Sequence, residues 1–380
     1  MTKPKTTLNP VEYTYGAPNT GATAHSVEHP EPISAVEVHI AGILVTVFGL
    51  SELPPASESA SVSALWLLHP RLQTKACMAP FAAHLITEWN THRSNNISGT
   101  KSRGLIAISF DQRNHGSRLA SPLANEAWRG GNENHALDMY SSYAGTAQDT
   151  SLLLDYLPGY IFPDSTRTID HNVVLGISLG GHAAWHVIAH DPRFSAAIPV
   201  IGCPDYARLM ADRARLSKRK HWLESQGRKF LGSPDFPPSL IQSLRRTDPA
   251  AFISSHLRDT PTEQAFLSTS SLTADDRAAL APVMARCFGN KRILVLSGGD
   301  DKLVSYAHSK PFLDWLKRSS AEGGWFNGGD LHLEDHVFDG VGHEVPASMV
   351  EKMVVFVNET LDAEVARSSQ HQRKKSESKI

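Results

Sequence analysis

The sequence predicts a doubly wound α/β fold, an α/β architecture with a mostly parallel sheet, helices on both faces and an inserted helical lid. Short apolar runs without alternation recur from residue 64 onward, each followed by a helix-like segment, the pattern of parallel strands buried on both faces. About 90 residues separate two consecutive strand candidates between Gly202 and Arg292, far more than a crossover needs, so a small helical unit is expected there. A Gly-x-Ser-x-Gly string stands between an apolar strand and a helix.

Taken in order, residues 1–33 hold Pro, Gly, Thr and His without periodicity and are expected to form an irregular arm. Ala35 to Ile40 alternates with period two and, after Ala41-Gly42, Ile43 to Phe48 follows, which predicts a hairpin. Ser51 to Ser63 is a Ser/Pro-rich loop. The strand candidates are then 64–68, 104–110, 173–177, 196–201, 293–296 and the more polar 332–338, with helical candidates at 77–89, 135–157, 180–190, 308–317 and 347–363. The core is accordingly expected over 34–202 and 292–363, the lid over 203–291, and a polar, basic, unstructured tail over 364–380.

Composition narrows the function classes. With 41% hydrophobic and 20% charged residues the chain reads as a soluble globular enzyme. A net charge of -2 gives no pull toward nucleic acid, and no apolar run approaches the ~20 residues of a bilayer span. Met1 to Gly21 lacks the apolar core of a secretory signal, so secretion is not expected and the sequons at Asn96 and Asn358 carry no weight. Cys77, Cys203 and Cys287 are too widely spaced for a zinc site or a disulfide framework, which leaves reduced thiols.

The chemistry-bearing residues lie at strand ends. In Gly176-Ile177-Ser178-Leu179-Gly180 the glycines allow a sharp turn from strand to helix, the serine is exposed in a strained conformation, and the helix amino terminus faces it. A serine hydroxyl is a weak nucleophile at neutral pH and needs a base held by a partner. Asp300 and Asp301 follow a buried strand, and a cap at a helix start is their alternative reading. His343 follows Gly342 before the final helix; His69, His115 and His182 are its rivals.

On these residues the chain resembles the α/β-hydrolase superfamily of serine hydrolases, over roughly Val36 to Leu361. The resemblance implies the order serine, acid, histidine: Ser178 as nucleophile, His343 as base, and Asp301 as its orienting acid through Gly298-x-x-Asp301-x-x-Val304, with Asp300 as neighbour. Asp111-Gln112-Arg113-Asn114-His115-Gly116 resembles a structural loop bordering the pocket in such proteins. His69-Pro70-Arg71-Leu72 stands where the family often carries His-Gly-x, a source of one oxyanion N–H. Proline has none to give, so the implied donors are the backbone N–H groups of Arg71, with Leu72 second, and of Leu179.

The implied chemistry is acyl transfer to serine with neither metal nor organic cofactor, acting on a small-molecule ester or thioester. Arg208, Arg213, Arg215, Lys218, Arg219, Lys220, Arg228 and Lys229 make the lid basic, either as a solvated face or as an attractor for an anionic substrate such as an acyl-CoA. Trp222 and Phe230 are expected to pack within the lid or line a pocket. Ser378-Lys379-Ile380 resembles the peroxisomal Ser-Lys-Leu signal, so an import receptor is a candidate partner and the cytoplasm or the peroxisome the expected location. An acyl-CoA thioesterase or peroxisomal secondary-metabolite hydrolase, a prolyl-oligopeptidase-like peptidase and a non-catalytic binding scaffold stand behind the ester hydrolase as alternatives.

Overall fold

The computed structural model describes residues 31–95, 103–257 and 272–377, and for 368–377 the backbone alone. Most of the amino-terminal arm and the Ser378-Lys379-Ile380 terminus lie outside the described residues.

One eight-stranded sheet organises the chain, in the order β1-β2-β4-β3-β5-β6-β7-β8. β1 (Ala35–Ile40) and β2 (Ile43–Phe48) form the expected hairpin. Ala41 and Gly42 both take positive φ, 50° and 79°, as a two-residue turn between twisted strands requires. β2 then pairs antiparallel with β4 (Gly104–Phe110), which attaches the hairpin to one edge. All remaining pairings are parallel, among β4, β3 (Ser61–Leu68), β5 (Thr168–Ile177), β6 (Phe194–Val200), β7 (Arg292–Gly298) and β8 (His332–Phe338). The chain runs one way from β3 to β4 and the other way from β5 onward. The carboxyl ends of β3 and β5 therefore flank the topological switch point, where such sheets open a crevice.

Alternate residues of each central strand feed two cores. Trp66, Val174, Ala197 and Val295 point to the face covered by α2 (His135–Ile161), α3 (Leu179–His190), α8 (Ala274–Phe288) and α9 (Tyr306–Ser320). Leu65, Leu67, Leu175 and Leu296 point to the opposite face, under α1 (Ala79–Asn95) and α10 (Ala347–Glu377). Double burial explains why the runs lack alternation. Each fully buried leucine contributes about 2–3 kcal/mol of transfer free energy.

Two segments differ from expectation. The segment 203–291 divides: α4 (Tyr206–Leu216), α5 (Lys220–Ser225), α6 (Pro238–Thr247) and α7 (Pro249–Ser254) make the lid, whereas α8 packs against α3 and returns the chain to β7. β6 and β7 are parallel neighbours, and a parallel connection needs such a crossover. The tail expected to be unstructured from 364 instead continues α10 through Glu377, since nothing between Ala363 and Glu377 is Pro or Gly. Among the described residues no helix is long and apolar enough to cross a membrane.

The lid is fastened to α2. Tyr206 Oη donates to Ala136 O at 2.7 Å, Tyr140 Oη meets Thr247 Oγ1 at 2.7 Å, and buried Asp248 accepts from the N–H groups of Tyr206 (3.0 Å) and Ala251 (2.9 Å). Arg219 joins Asp235 (2.5 Å) to Glu133 (2.6 Å) and lies over the Trp128 ring. Phe230 is buried against Trp128 and Phe236, and Trp222 packs at the core's margin; neither lines the cleft described next.

Candidate active site

Ser178 sits in the turn between β5 and α3 with φ 55° and ψ -109°, a conformation that L-residues adopt only when their surroundings impose it. The flanking glycines are obligatory. A Cβ on Gly176 would lie 1.9 Å from Gly180 O, and one on Gly180 would lie 2.0 Å from Leu68 O, so no side chain fits while β3, β5 and α3 stay this close. The turn leaves Ser178 Oγ at the sheet edge and makes Leu179 the first residue of α3, whose N–H has no acceptor within the helix.

His343 lies in the loop between β8 and α10, and Asp301 in the loop after β7. The two loops cross closely: a Cβ on Gly298 would stand 2.3 Å from Gly342 O, and Gly299 N–H donates to Phe338 O at 2.8 Å. Ser178 Oγ lies 2.8 Å from His343 Nε2, and His343 Nδ1 lies 2.7 Å from Asp301 Oδ2. Asp301 Oδ1 accepts from the N–H groups of Leu303 (2.8 Å) and Val304 (2.9 Å). Burial pushes the Asp301 carboxyl up, but the bond to His343, its charge and the two N–H groups outweigh this and hold it below the usual carboxylate range. An ionised carboxylate only accepts, so His343 carries its proton on Nδ1 and leaves Nε2 free to accept from Ser178. Asp300 has an exposed side chain, and its N–H donates to Val341 O at 2.9 Å.

The rival histidines are engaged elsewhere. His69 Nε2 accepts from Gln112 N–H (2.9 Å), leaving Nδ1 to donate to Pro70 O (2.8 Å). His115 Nδ1 lies 3.0 Å from Arg113 O, and His182 Nδ1 lies 3.0 Å from both N and O of Cys203. The Asp111 loop is a brace: its carboxylate accepts from Lys75 N–H and from the N–H and Oγ–H of Ser117, each at 2.8 Å, while Arg113 and Arg118 clasp Asp149. Burial pushes His69 down to about 4 and His135, His171 and His182 to about 3, against 6.5 for a free ring. These rings are neutral when folded and take up a proton near pH 6.5 when unfolded, so the unfolded chain binds more protons below that value. Stability is expected to fall as pH drops from about 6.5 toward 4, by about 2 kcal/mol per site at pH 5. Urea midpoints measured between pH 7.5 and 5 check this; a constant midpoint would mean the rings are solvated.

A cleft of about 200 Å³ opens over Ser178 and His343. Pro70, Arg71 and Leu72 line one side, so the loop after β3 does reach the serine, as the 68–176 pairing of β3 with β5 requires. Arg71 and Leu179 both border the cleft. Arg213, Leu216 and Ser217 come from the lid, Lys302 and Leu303 from the Asp301 loop, Ala127, Trp128 and Arg129 from the segment leading into α2, and His135 and Met139 from the first turns of that helix. That last wall was missed by sequence reasoning; Gly130-Gly131 signals a turn there, but nothing local ties it to Ser178. Of the described basic lid residues named above, only Arg213 reaches the cleft: Arg208, Arg215, Arg219 and Lys220 pair with carboxylates, and Lys218, Arg228 and Lys229 lie outside it. Among the described residues no group of three His, Cys, Asp or Glu is placed to hold a metal ion.

Residues 78–359 match the model of the alpha/beta hydrolase family. A search of curated proteins gives no significant match. Among solved structures the chain is similar to TT1662 from Thermus thermophilus, at 16% identity over 86% of this chain and 97% of that one, with a TM-score of 0.48. It is also similar to Est1E from Butyrivibrio proteoclasticus, solved with ferulic acid bound (12% identity, 87% and 100% covered, TM-score 0.42). A third is the acylaminoacyl peptidase of Pyrococcus horikoshii (12% identity, 82% and 38% covered, TM-score 0.42).

Proposed function

The chain belongs to the alpha/beta hydrolase family, and on that premise we propose that it is a serine hydrolase cleaving a carboxylic ester of a small organic substrate through an acyl-enzyme. The supporting observation is the hydrogen-bonded chain from Ser178 Oγ through His343 to Asp301 at the floor of an open cleft.

In this reading Ser178 Oγ attacks the ester carbonyl while His343 Nε2 takes its proton, and Asp301 stabilises the imidazolium that forms. The developing oxyanion is met by the N–H of Leu179, backed by the dipole of α3, and by the N–H of Arg71 from the facing loop. His343 then protonates the departing alkoxide. A water molecule, deprotonated by the same ring, attacks the acyl-enzyme and releases the carboxylic acid and free Ser178. The cleft suits a small acyl group; thioesters and amides would meet the same machinery, and the fold does not choose among them.

The test is turnover of short p-nitrophenyl esters beside matched acyl-CoA thioesters, before and after a fluorophosphonate. The expected result is ester hydrolysis abolished by one adduct, mapped by peptide mass to Ser178. Turnover that survives full labelling of Ser178 would remove it from the reaction, and a preference for the CoA thioesters would move the substrate class to thioesters.

A further inference from the structure

The cleft is charged in one sense. Arg71, Arg129, Arg213 and Lys302 line it, and among the described residues no carboxylate does. Arg71 and Arg213 are both half-buried, and their hydrogen bonds go to neutral acceptors: Arg71 to Asn125 O, Arg213 to Leu303 O (3.0 Å), Met139 Sδ (2.9 Å) and His135 Nε2 (3.5 Å). Among the described residues neither has a carboxylate within salt-bridge distance. Most other arginines sunk into this protein do: Arg103 meets Asp170, Arg118 Asp149, Arg208 Asp205, Arg219 Asp235 and Arg292 Glu359, whereas half-buried Arg93 and Arg167 bond to Asn90 Oδ1 and to the carbonyls of Ser59 and Pro54 but lie away from the cleft.

We propose that Arg71 and Arg213 form an anion subsite beside Ser178, so that the substrate is an ester bearing a carboxylate or phosphate group close to its scissile carbonyl. Two half-buried guanidinium groups lining one cleft, with no carboxylate among the described residues within salt-bridge distance, oppose one another, and the longer-range fields of Glu126 on Arg71 and of Asp301 on Arg213 offset this in part. Burial and the neighbouring Arg213 charge push the Arg71 guanidinium down to about 10. An oxyanion entering the cleft removes that repulsion and gains charge-assisted hydrogen bonds from planar forks suited to carboxylate and phosphate. Arg213 is fixed for this task, because Nε and Nη2 both donate to Leu303 O on the loop that carries Asp301. Arg129 and Lys302 extend the positive wall, so an anion on either the acyl or the alcohol side of the ester finds a cation.

This inference rests on Ser178 being an ester-cleaving nucleophile, and its test separates the two. Two matched pairs are compared by kcat/KM: p-nitrophenyl hemisuccinate against p-nitrophenyl butyrate for an acyl-side anion, and 4-acetoxybenzoate against 4-tolyl acetate for an alcohol-side anion. A preference of about ten- to a hundredfold for the anionic member of one pair is expected. That ratio should collapse toward one in Arg213→Gln and survive in part in Arg213→Lys; because it is a ratio, general damage to the enzyme cancels. Ester turnover with no anionic preference in either pair overturns the subsite. If no ester turns over, the ester reading falls, and calorimetric titration of the Ser178→Ala protein with succinate and with inorganic phosphate decides the subsite. Binding of either that is lost in the Ser178→Ala, Arg213→Gln protein upholds it, the tighter ligand naming the group; binding of neither, or binding unchanged by Arg213→Gln, overturns it.

Discussion

Replacing Ser178 or His343 by alanine is expected to lower kcat for ester hydrolysis by about 10⁵- to 10⁶-fold, and the double variant should be hardly slower than either single one. In the proposed mechanism the two groups act as a unit. Without His343 the serine keeps its proton, and without Ser178 the ring has nothing to activate. The protein should stay folded, because Ser178 is held in its turn by its backbone, with N–H donating to Val200 O at 2.9 Å and O accepting from His182 N–H at 3.0 Å. Both bonds belong to the main chain and survive Ser178→Ala. His343 lies in a partly exposed loop, so its truncation opens little core. Progress curves in enzyme excess measure the rates, and thermal melts within a few degrees of the parent verify the fold. Loss of only a few fold in kcat with an intact melt would reassign the nucleophile.

Asp301→Asn is expected to lower kcat by about 10⁴-fold, whereas Asp300→Asn should leave it within about twofold. The contrast follows from the partners of each oxygen. Asp301 Oδ1 accepts from two backbone N–H groups, so the amide oxygen of an asparagine must take that place and its NH2 must face His343. The ring then has to accept at Nδ1 and carry its proton on Nε2, the tautomer that cannot accept from Ser178. The exposed Asp300 side chain imposes no such constraint. Fluorophosphonate labelling rates give a second readout, expected to fall in parallel with kcat for Asp301→Asn alone. Equal losses in the two variants would place the orienting carboxylate elsewhere.

Much of this protein was legible in its residues because the signals are local. A strand buried on both faces must be a continuous apolar run, so the central strands could be marked within a few residues of where they lie. A strand that turns directly into a helix over a neighbouring chain tolerates only glycine around Ser178, which is why the elbow shows as a pattern. The lid was visible as surplus length, though α8 could not be separated from it: a crossover helix and a lid helix share the same apolar period, and only parallel pairing of β6 with β7 assigns α8 to the core. The continuation of α10 through Glu377 was hidden by charge, since high polarity marks disorder and an exposed helix alike.

The sequence by itself determined a doubly wound α/β fold and the places along it, at the ends of strands, where the candidate residues stand. Tertiary structure decided what depends on distance rather than order. Asp301 rather than its neighbour faces His343, because the loop after β7 buries one carboxylate and exposes the other. The wall from 127 to 139 meets the lid over Ser178, although no motif links them. The lid's charge likewise sorted itself in three dimensions: most of its cations found carboxylates or solvent, and Arg213 turned to the cleft beside Arg71. Counting charges along a chain cannot give that result, because whether a cation is neutralised depends on a partner within a few ångströms, and folding brings those partners from far along the chain.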